Sequence, residues 1–174
     1  MGIQFETDYN METLTAMAKG LRKTVRKKRS RRVHIFAAVV LVFGLLTILA
    51  TVAGGEPLGA SGVVTLLAML VVILVSLFED KLNAWFARKR LLPGTEHAVA
   101  TFEEDGYVSA TGVTESRFSY AQIVAVAETA RYFVFALSSH HTQAYDKRNI
   151  RGGSVEDFRA FIAEKAGKPV EDIK

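Results

Sequence analysis

Two continuous apolar runs and a later alternating region divide the chain into parts of different character. Residues 33–53 and 58–78 are predominantly apolar and contain no acid, lysine or arginine. Each run has 21 residues, and as a helix rising about 1.5 Å per residue it would span about 31 Å, close to the thickness of a hydrocarbon core. The pattern predicts a transmembrane helical hairpin with an external turn at residues 54–57.

Helical periodicity precedes the first apolar run, within residues 1–32. Leu14, Met17, Leu21 and Val25 recur at helical spacing, and cations occupy the opposite or flanking positions. This pattern indicates a basic amphipathic helix. Two interpretations are open: the helix packs on the protein's own cytoplasmic domain, which we favour, or it lies among lipid headgroups.

A further helix is predicted at residues 79–94, directly after the second apolar run. Leu82, Trp85 and Phe86 share one helical face, and a Pro-Gly pair closes the segment. A tryptophan at the membrane interface is a common depth anchor. The segment therefore predicts a juxtamembrane helix.

The acids at the start of that segment suggest an ion-pair network. Glu79 and Asp80 lie at the same predicted membrane boundary as Arg31 and Arg32. Opposite charges at one boundary attract each other when they are close. We therefore expect these acids to pair with these arginines across the hairpin.

From His97 onward the period changes to alternation. "HAVATFEEDGYVSATG" predicts two strands joined by a tight Asp-Gly turn. "ESRFSYAQIVAVAET" and "RYFVFALSS" predict further strands, the latter covered on both faces, and "TQAYDKR" predicts a weaker one. A helix with an N-cap at Ser154 and a stop at Gly167 follows. Residues 95–174 thus predict a small cytoplasmic α+β domain of antiparallel strands closed by a C-terminal helix. The predicted buried stripe of that helix comprises Val155, Phe158, Phe161 and Ile162.

The start of the chain also alternates. Ile3 and Phe5 are apolar positions within "IQFETD", and period two is typical of a half-buried strand. We expect residues 2–7 to add a strand to the sheet of the C-terminal domain. The hairpin would then be an insertion into one cytoplasmic domain.

The charge distribution predicts the topology. Residues 1–32 carry nine lysines and arginines against three acids, whereas residues 91–174 carry nine against twelve. Because cations are retained on the cytoplasmic side, we expect a multi-pass protein of the inner (plasma) membrane with both termini in the cytoplasm. A cleaved signal peptide is a less favoured alternative, since the first run is longer than the apolar part of such a peptide. The mildly acidic C-terminal part argues against a nucleic-acid partner.

The predicted contacts with anionic lipids of the inner leaflet are the basic side chains and the tryptophan that flank the hairpin. They are Lys19, Arg22, Lys23, Arg26, Lys27, Lys28, Arg29, Arg31, Arg32, Trp85, Arg88, Lys89 and Arg90. A second basic spot, within "YDKRNIRGG", contains Lys147, Arg148 and Arg151 before the C-terminal helix. It is a candidate contact for an anion or a protein partner; a solvated loop facing the leaflet is the plainer interpretation.

Catalytic signatures are missing from the sequence. The chain has no cysteine, and none of the common hydrolase, phosphate-loop or dinucleotide motifs occurs. Adjacent histidines, His140 and His141, would point to opposite faces of a strand, so a turn is a better interpretation than a metal site. The acids at residues 103–105 are those of a solvated turn. We expect no enzyme activity, no cofactor and no metal.

The order of these segments resembles the YcxB-like family of small bacterial membrane proteins. The resemblance rests on "FETDY", two closely spaced spans, "LLPG", "FEEDGYVSATG", "FSYAQIVAVAET", "RYFVFAL" and "VEDFRAFI". Tyr120 and Asp146 depart from the residues usual in that family. The resemblance implies a pleckstrin-homology-like (PH-like) domain and no established biochemical activity. In PH-like phosphoinositide readers the first hairpin loop is basic; here it is acidic "EEDG", which argues against inositol phosphate recognition there.

These features lead to one expected function and two alternatives. The expected function is a membrane-anchored cytoplasmic interaction module with an unidentified protein partner. One alternative is a subunit of an oligomeric membrane assembly or a transporter accessory, for which the small residues Thr47, Thr51, Ala50 and Gly54 would allow close helix contact between copies. A membrane enzyme is disfavoured.

Overall fold

A computed structural model describes residues 2–173, and its strands form two sheets. The first sheet contains β1 (Ile3–Asp8), β2 (His97–Phe102), β3 (Tyr107–Thr111), β4 (Glu115–Phe118) and β8 (Ile150–Arg151). Its strand order is β4-β3-β2-β1-β8, antiparallel throughout.

The second sheet contains β5 (Ala125–Glu128), β6 (Tyr132–Ala136), β7 (Thr142–Asp146) and β9 (Val170–Asp172). Its order is β7-β6-β5-β9, in which β9 runs parallel to β5 and the other pairs are antiparallel. The two sheets approach each other where the Asp146 backbone N–H donates to Thr7 Oγ1 at 3.0 Å.

Five α-helices complete the described chain: α1 (Met11–Lys23), α2 (Lys27–Ala53), α3 (Ala60–Leu77), α4 (Glu79–Lys89) and α5 (Val155–Ala166). Helices α2 and α3 contain most of the two predicted apolar runs. They have 27 and 18 residues, and the most apolar 18-residue stretches have mean hydropathies of 2.8 and 2.6, so both helices are long and apolar enough to cross a membrane. Their large apolar side chains are exposed, so neither helix is the core helix of a globular domain.

The expected N-terminal strand is confirmed. Strand β1 pairs with β2 in a register that places Ile3 opposite Phe102 and Asp8 opposite His97. In the sequence, helices α1 to α4 therefore lie between two strands that are neighbours in the sheet. The hairpin is an insertion into the domain, because the strands on either side of it belong to one sheet.

The main core lies between the sheets and consists largely of aromatic rings. Phe5 from β1, Phe102 from β2 and Phe135 from β6 are fully buried there, and α5 adds Phe158. The Phe5 and Phe158 ring centroids are 4.6 Å apart, in an edge-to-face arrangement. Such aromatic pairs contribute about 1 kcal/mol beyond the area that they bury.

Strand β6 is buried on both faces, as its unbroken apolar run predicts. Phe133 and Phe135 face the main core, whereas Tyr132 and Val134 belong to a second cluster that includes Met17 of α1. Helix α1 thus covers the outer face of the second sheet. This confirms the favoured interpretation of the N-terminal amphipathic helix.

Close contact between α1 and β6 depends on a glycine. A Cβ placed on Gly20 would lie 2.6 Å from Cγ1 of Val134, well inside van der Waals contact. A residue with a side chain at this position would push the helix from the sheet, because packed interiors have little room to adjust.

The boundaries of α5 agree with the sequence analysis. The Asp157 backbone N–H donates to Ser154 Oγ at 3.0 Å, and the Asp157 carboxylate accepts from the Ser154 backbone N–H at 3.3 Å. The Ser154 hydroxyl also donates to the Asp157 carboxylate at 2.6 Å, and this bond, followed by the one from the Ser154 backbone N–H, holds the pKa of Asp157 below its usual value. Gly167 ends the helix with φ of 59°, a left-handed conformation that favours glycine.

Three details differ from the sequence analysis. "ESRFSYAQIVAVAET" is not one strand: Ser119 caps a short 3₁₀ helix, Tyr120–Gln122, which separates β4 of the first sheet from β5 of the second. Strands β8 and β9 were not predicted, and β9 makes the sheet partly parallel. The juxtamembrane helix ends at Lys89 instead of residue 94, because a residue before proline disfavours helical backbone.

Candidate functional site

The region where the two apolar helices meet the domain is the candidate site, and we call it the helix junction. It consists of α1, residues 24–34, which form the turn after α1 and the start of α2, and α4. Helix α1 lies between the second sheet and α4, with Leu14 and Leu21 buried, and Ala84 of α4 fully buried. The hairpin is therefore joined to the domain by packed helices and not by flexible linkers.

An ion pair holds α1 to α4. Arg22 donates from Nε and Nη2 to the two carboxylate oxygens of Asp80, each at 2.7 Å, and its Nε lies 3.8 Å from Oε2 of Glu79. The hydrogen bonds to Asp80 raise the pKa of Arg22. A bidentate pair of this kind fixes orientation as well as distance.

The predicted pairing of Glu79 and Asp80 with Arg31 and Arg32 is wrong. Both acids lie on the side of α4 that faces α1, so Arg22 reaches them instead. In the described chain, the only basic side chain of α2 with a nitrogen within 4.0 Å of either carboxylate is His34, whose Nε2 is 3.8 Å from Glu79. Arg31 and Arg32 are exposed.

A second connection was missed by the sequence analysis. Arg26, in the turn between α1 and α2, donates from Nε to the Ser139 carbonyl at 2.7 Å, and its Nη2 lies 2.9 Å from Nδ1 of His140. The predicted turn at His140 is confirmed, since it lies between β6 and β7. Pairing of an arginine with a distant turn depends on tertiary structure and leaves no local signal in the sequence.

A cleft separates the α1–α2 turn from α4. It consists of two adjoining pockets of about 400 Å³ and about 200 Å³ that share Ala18, Arg26 and Asn83. Arg90 lines the larger pocket, and Arg29 lines the smaller one. Among the described residues, neither of these arginines nor Arg26 has a carboxylate within 4.0 Å.

The second basic spot is not a cluster of free cations. Lys147 Nζ donates to Glu128 at 2.8 Å and to the Thr129 carbonyl at 2.6 Å. Arg148 pairs with Asp146 at 3.1 Å, and Arg151 pairs with Glu6 at 3.0 Å. The Lys147 side chain is 13% exposed, against 63% for Arg148 and 66% for Arg151, so only the two arginines remain accessible to a partner.

Two buried carboxylates organise the cations of this part of the domain. Asp146 accepts from Arg131 at 2.8 Å in addition to Arg148. Glu128 accepts from Nε and Nη2 of Arg159, each at 2.7 Å, and also from Lys147. The hydrogen bonds from Arg159, and then those from Lys147, lower the pKa of Glu128. Asp146, a departure from the family pattern, is thus a structural residue here.

The remaining predicted lipid contacts lie on exposed helix surface. Lys89 Nζ is 3.5 Å from the centroid of the Trp85 ring, and the Phe86 ring packs edge-to-face on Trp85 at 5.0 Å. The other cations that flank the hairpin are at least partly exposed. The structure brings only Arg22, Arg26, Arg29 and Arg90 to the cleft.

Buried tyrosines form a hydrogen-bond network in the core. Tyr107 and Tyr145 donate to Oε1 of Gln143 at 2.8 and 2.7 Å, and Tyr120 donates to the Glu103 carbonyl at 2.5 Å. Burial raises the pKa of each of these hydroxyls, and that of Tyr9 to about 12. All four are therefore protonated at neutral pH, and Tyr107, Tyr145 and Tyr120 act as structural donors.

Acidic and histidine side chains are dispersed over the described chain and form no group of three that could hold a metal. In the acidic turn, Glu103 lies 3.4 Å from Arg117 and Glu104 lies 3.7 Å from Lys165. These acids have cationic partners across the surface. The turn is consequently a solvated, ion-paired loop.

Comparison with known proteins gives one match. No curated protein and no solved structure matches the chain. A family model described as YcxB-like protein matches residues 102–162, which run from the end of β2 into α5. The match includes the turn between β2 and β3, the 3₁₀ helix and the buried strand β6. Residues 102–162 of this chain therefore carry the YcxB-like sequence pattern that the sequence analysis recognised.

Proposed function

We propose that this protein is a membrane-anchored interaction module whose cytoplasmic domain is held in a fixed orientation at the inner leaflet. The observation that carries the proposal is the placement of the hairpin between the paired strands β1 and β2, with α1 packed on the second sheet and α4 packed on α1. Flexible linkers would let the domain diffuse away from the bilayer, whereas packed helices keep one face towards it.

The proposed location is the inner (plasma) membrane, with the domain and both flanks of the hairpin in the cytoplasm. Its support is the cationic composition of both flanks and the absence of lysine and arginine from residues 54–57. We further propose that the domain is PH-like, since two largely antiparallel sheets enclose a core to which a C-terminal helix contributes. The proposal assigns no reaction to the protein.

Cysteine labelling tests the topology, because the chain has no natural cysteine. Glu56→Cys places one thiol in the turn of the hairpin, and Glu115→Cys places one on the exposed strand β4. A membrane-impermeant maleimide should label position 56 only in right-side-out vesicles and position 115 only in inside-out vesicles. Labelling of both positions from the same side would overturn the proposal.

The protein partner is proposed to contact the exposed arginines at β8 and the preceding turn. A photoreactive residue at position 148 in living cells should capture one specific protein, and the same residue at the exposed position 117 on β4 should not. Capture of only lipid, or of other copies of this chain, from position 148 would contradict the interaction module. The second result would favour the oligomeric assembly.

A further inference from the structure

We propose that the cleft between the α1–α2 turn and α4 binds the phosphate headgroup of an anionic phospholipid. The inference rests on the proposed insertion of the hairpin and goes beyond it by assigning a lipid site. It concerns a helix-lined cleft, and not the acidic hairpin loop between β2 and β3.

In the proposed topology, the cleft lies at the level of the bilayer where phospholipid headgroups are found. Its smaller pocket is lined by Val33, the first residue of the apolar run, and by Glu79, the first residue of α4. Arg26 lies seven residues before Val33, about 10 Å along the helix. The cations of the cleft therefore lie just outside the hydrocarbon core, where lipid phosphates are found.

The cleft carries uncompensated positive charge. Arg26 is held by a carbonyl oxygen and an imidazole nitrogen, neither of which carries a negative charge, while Arg29 and Arg90 have no carboxylate within 4.0 Å in the described chain. The one acid in the lining, Glu79, lies 3.8 Å from Arg22, which also pairs with Asp80. Arg22, Glu79 and Asp80 together carry a net charge of −1, which the three positive charges of Arg26, Arg29 and Arg90 exceed, so the cleft favours an anion.

Arg26 is also positioned in advance of binding. Its bonds to Ser139 and His140 use two of the five N–H groups of a guanidinium, which leaves three for a ligand. A side chain that is already fixed loses less conformational entropy when it binds. Ser30 and Asn83 add neutral polar groups to the lining, and arginine matches phosphate geometry through paired donors.

The test compares two arginine substitutions that change the charge equally. Arg26→Gln removes the fixed cation of the cleft, and Arg32→Gln removes an exposed cation of α2 that lies outside the cleft. The full chain in detergent is titrated with phosphatidylglycerol or phosphatidylcholine, and bound lipid is counted by native mass spectrometry. We expect selective retention of phosphatidylglycerol, reduced about tenfold by Arg26→Gln and less than about twofold by Arg32→Gln.

Three results would overturn the proposal. Equal losses in the two variants would mean diffuse attraction to the basic flank, and equal retention of both lipids by the unchanged protein would mean that no anion site exists. Displacement of bound phosphatidylglycerol by inorganic phosphate at similar concentration would identify a site for free phosphate. Because Arg26→Gln also removes a contact with the β6–β7 turn, Arg29→Gln provides a second variant in the cleft that breaks no such contact.

Failure of this proposal is distinguishable from failure of the proposed function. The cysteine-labelling pattern of positions 56 and 115 depends on insertion alone. Correct labelling together with nonselective lipid retention would reject the lipid site and keep the anchored module. Labelling from one side only would reject the topology whatever the lipid result.

Discussion

Most basic side chains of the domain have carboxylate partners, whereas most of those at the helix junction do not. In the domain, seven cations lie within 4.0 Å of a carboxylate: Arg117, Arg131, Lys147, Arg148, Arg151, Arg159 and Lys165. At the junction Arg22 is paired, whereas no carboxylate lies that close, in the described part of the chain, to Arg26, Lys27, Lys28, Arg29, Arg31, Arg32, Arg88 or Arg90. The same residue types therefore stabilise the fold in one region and leave charge available for another molecule in the other.

The largest expected effect comes from removing the carboxylate that two domain cations share. Glu128→Gln leaves Lys147 and Arg159 without their common partner, and we expect a loss of about 3 kcal/mol in the free energy of unfolding, typical of a broken buried ion pair. Chemical denaturation of the full chain in detergent, followed by near-ultraviolet circular dichroism of the buried tyrosines, measures it. Glu156→Gln is the control, since this acid is exposed and 4.0 Å from Arg159; an equal loss there would contradict the comparison.

The pH dependence of stability should show part of the same effect. A carboxyl group whose pKa is lowered in the folded state stabilises the fold above its unfolded pKa, which for glutamate is about 4.3, and this stabilisation is lost as the pH falls through the folded value. Since Arg159 and Lys147 lower the pKa of Glu128, we expect stability to decline below about pH 4. The decline should be shallower in Glu128→Gln. Parallel acid denaturation curves would show that Glu128 is not the group responsible.

Breaking the pair between Arg22 and Asp80 at the junction should have an intermediate effect on the free energy of unfolding. Asp80→Asn removes the bidentate bonds to Arg22 at the partly exposed contact between α1 and α4. We expect a loss of about 1 kcal/mol, because solvent screens such a pair. Denaturation followed by the fluorescence of Trp85, the one tryptophan of the chain, reports on α4 directly. The charge freed on Arg22 should also increase the retention of phosphatidylglycerol; a decrease would show that Arg22 is needed only to hold the helices.

The smallest effect is expected for an unpaired cation. Arg31→Gln should change the free energy of unfolding by less than about 0.5 kcal/mol, because an exposed side chain without a partner contributes little to folding. Arg159→Gln, measured in the same denaturation experiment, should cost clearly more since it breaks two bonds to Glu128. Similar losses would erase the distinction between the two regions.

Local sequence features predicted most of the elements. The apolar runs, the Asp-Gly turn between β2 and β3, and the caps of α5 each depend on residues that are close in the chain. The burial of β6 on both faces followed from an unbroken apolar run. Strand β1 was also predictable. The alternation at Ile3 and Phe5 is typical of a half-buried strand, and a strand needs a sheet to pair with.

Features that depend on how elements meet were not predictable. Strands β8 and β9 have two and three residues, too few for a periodic pattern. The partner of Asp80 depends on which face of α4 packs on α1, and Arg22 is 58 residues away in the chain. The cleft likewise combines residues from α1, α2, α4 and the β6–β7 turn, so the sequence indicated its cations without showing which of them come together.

The insertion of the hairpin between β1 and β2 imposes an order on biosynthesis. Strand β1 leaves the ribosome first, but its neighbours β2 and β8 are made only after both apolar helices. In the proposed topology, β1 stays on the cytoplasmic side of the membrane. The first sheet can form only after the second apolar helix has returned the chain to that side. A chain with one helix inserted would hold its two halves on opposite sides of the bilayer and could not fold. Completion of the sheet would thus act as a check that the membrane insertion of each new molecule has succeeded.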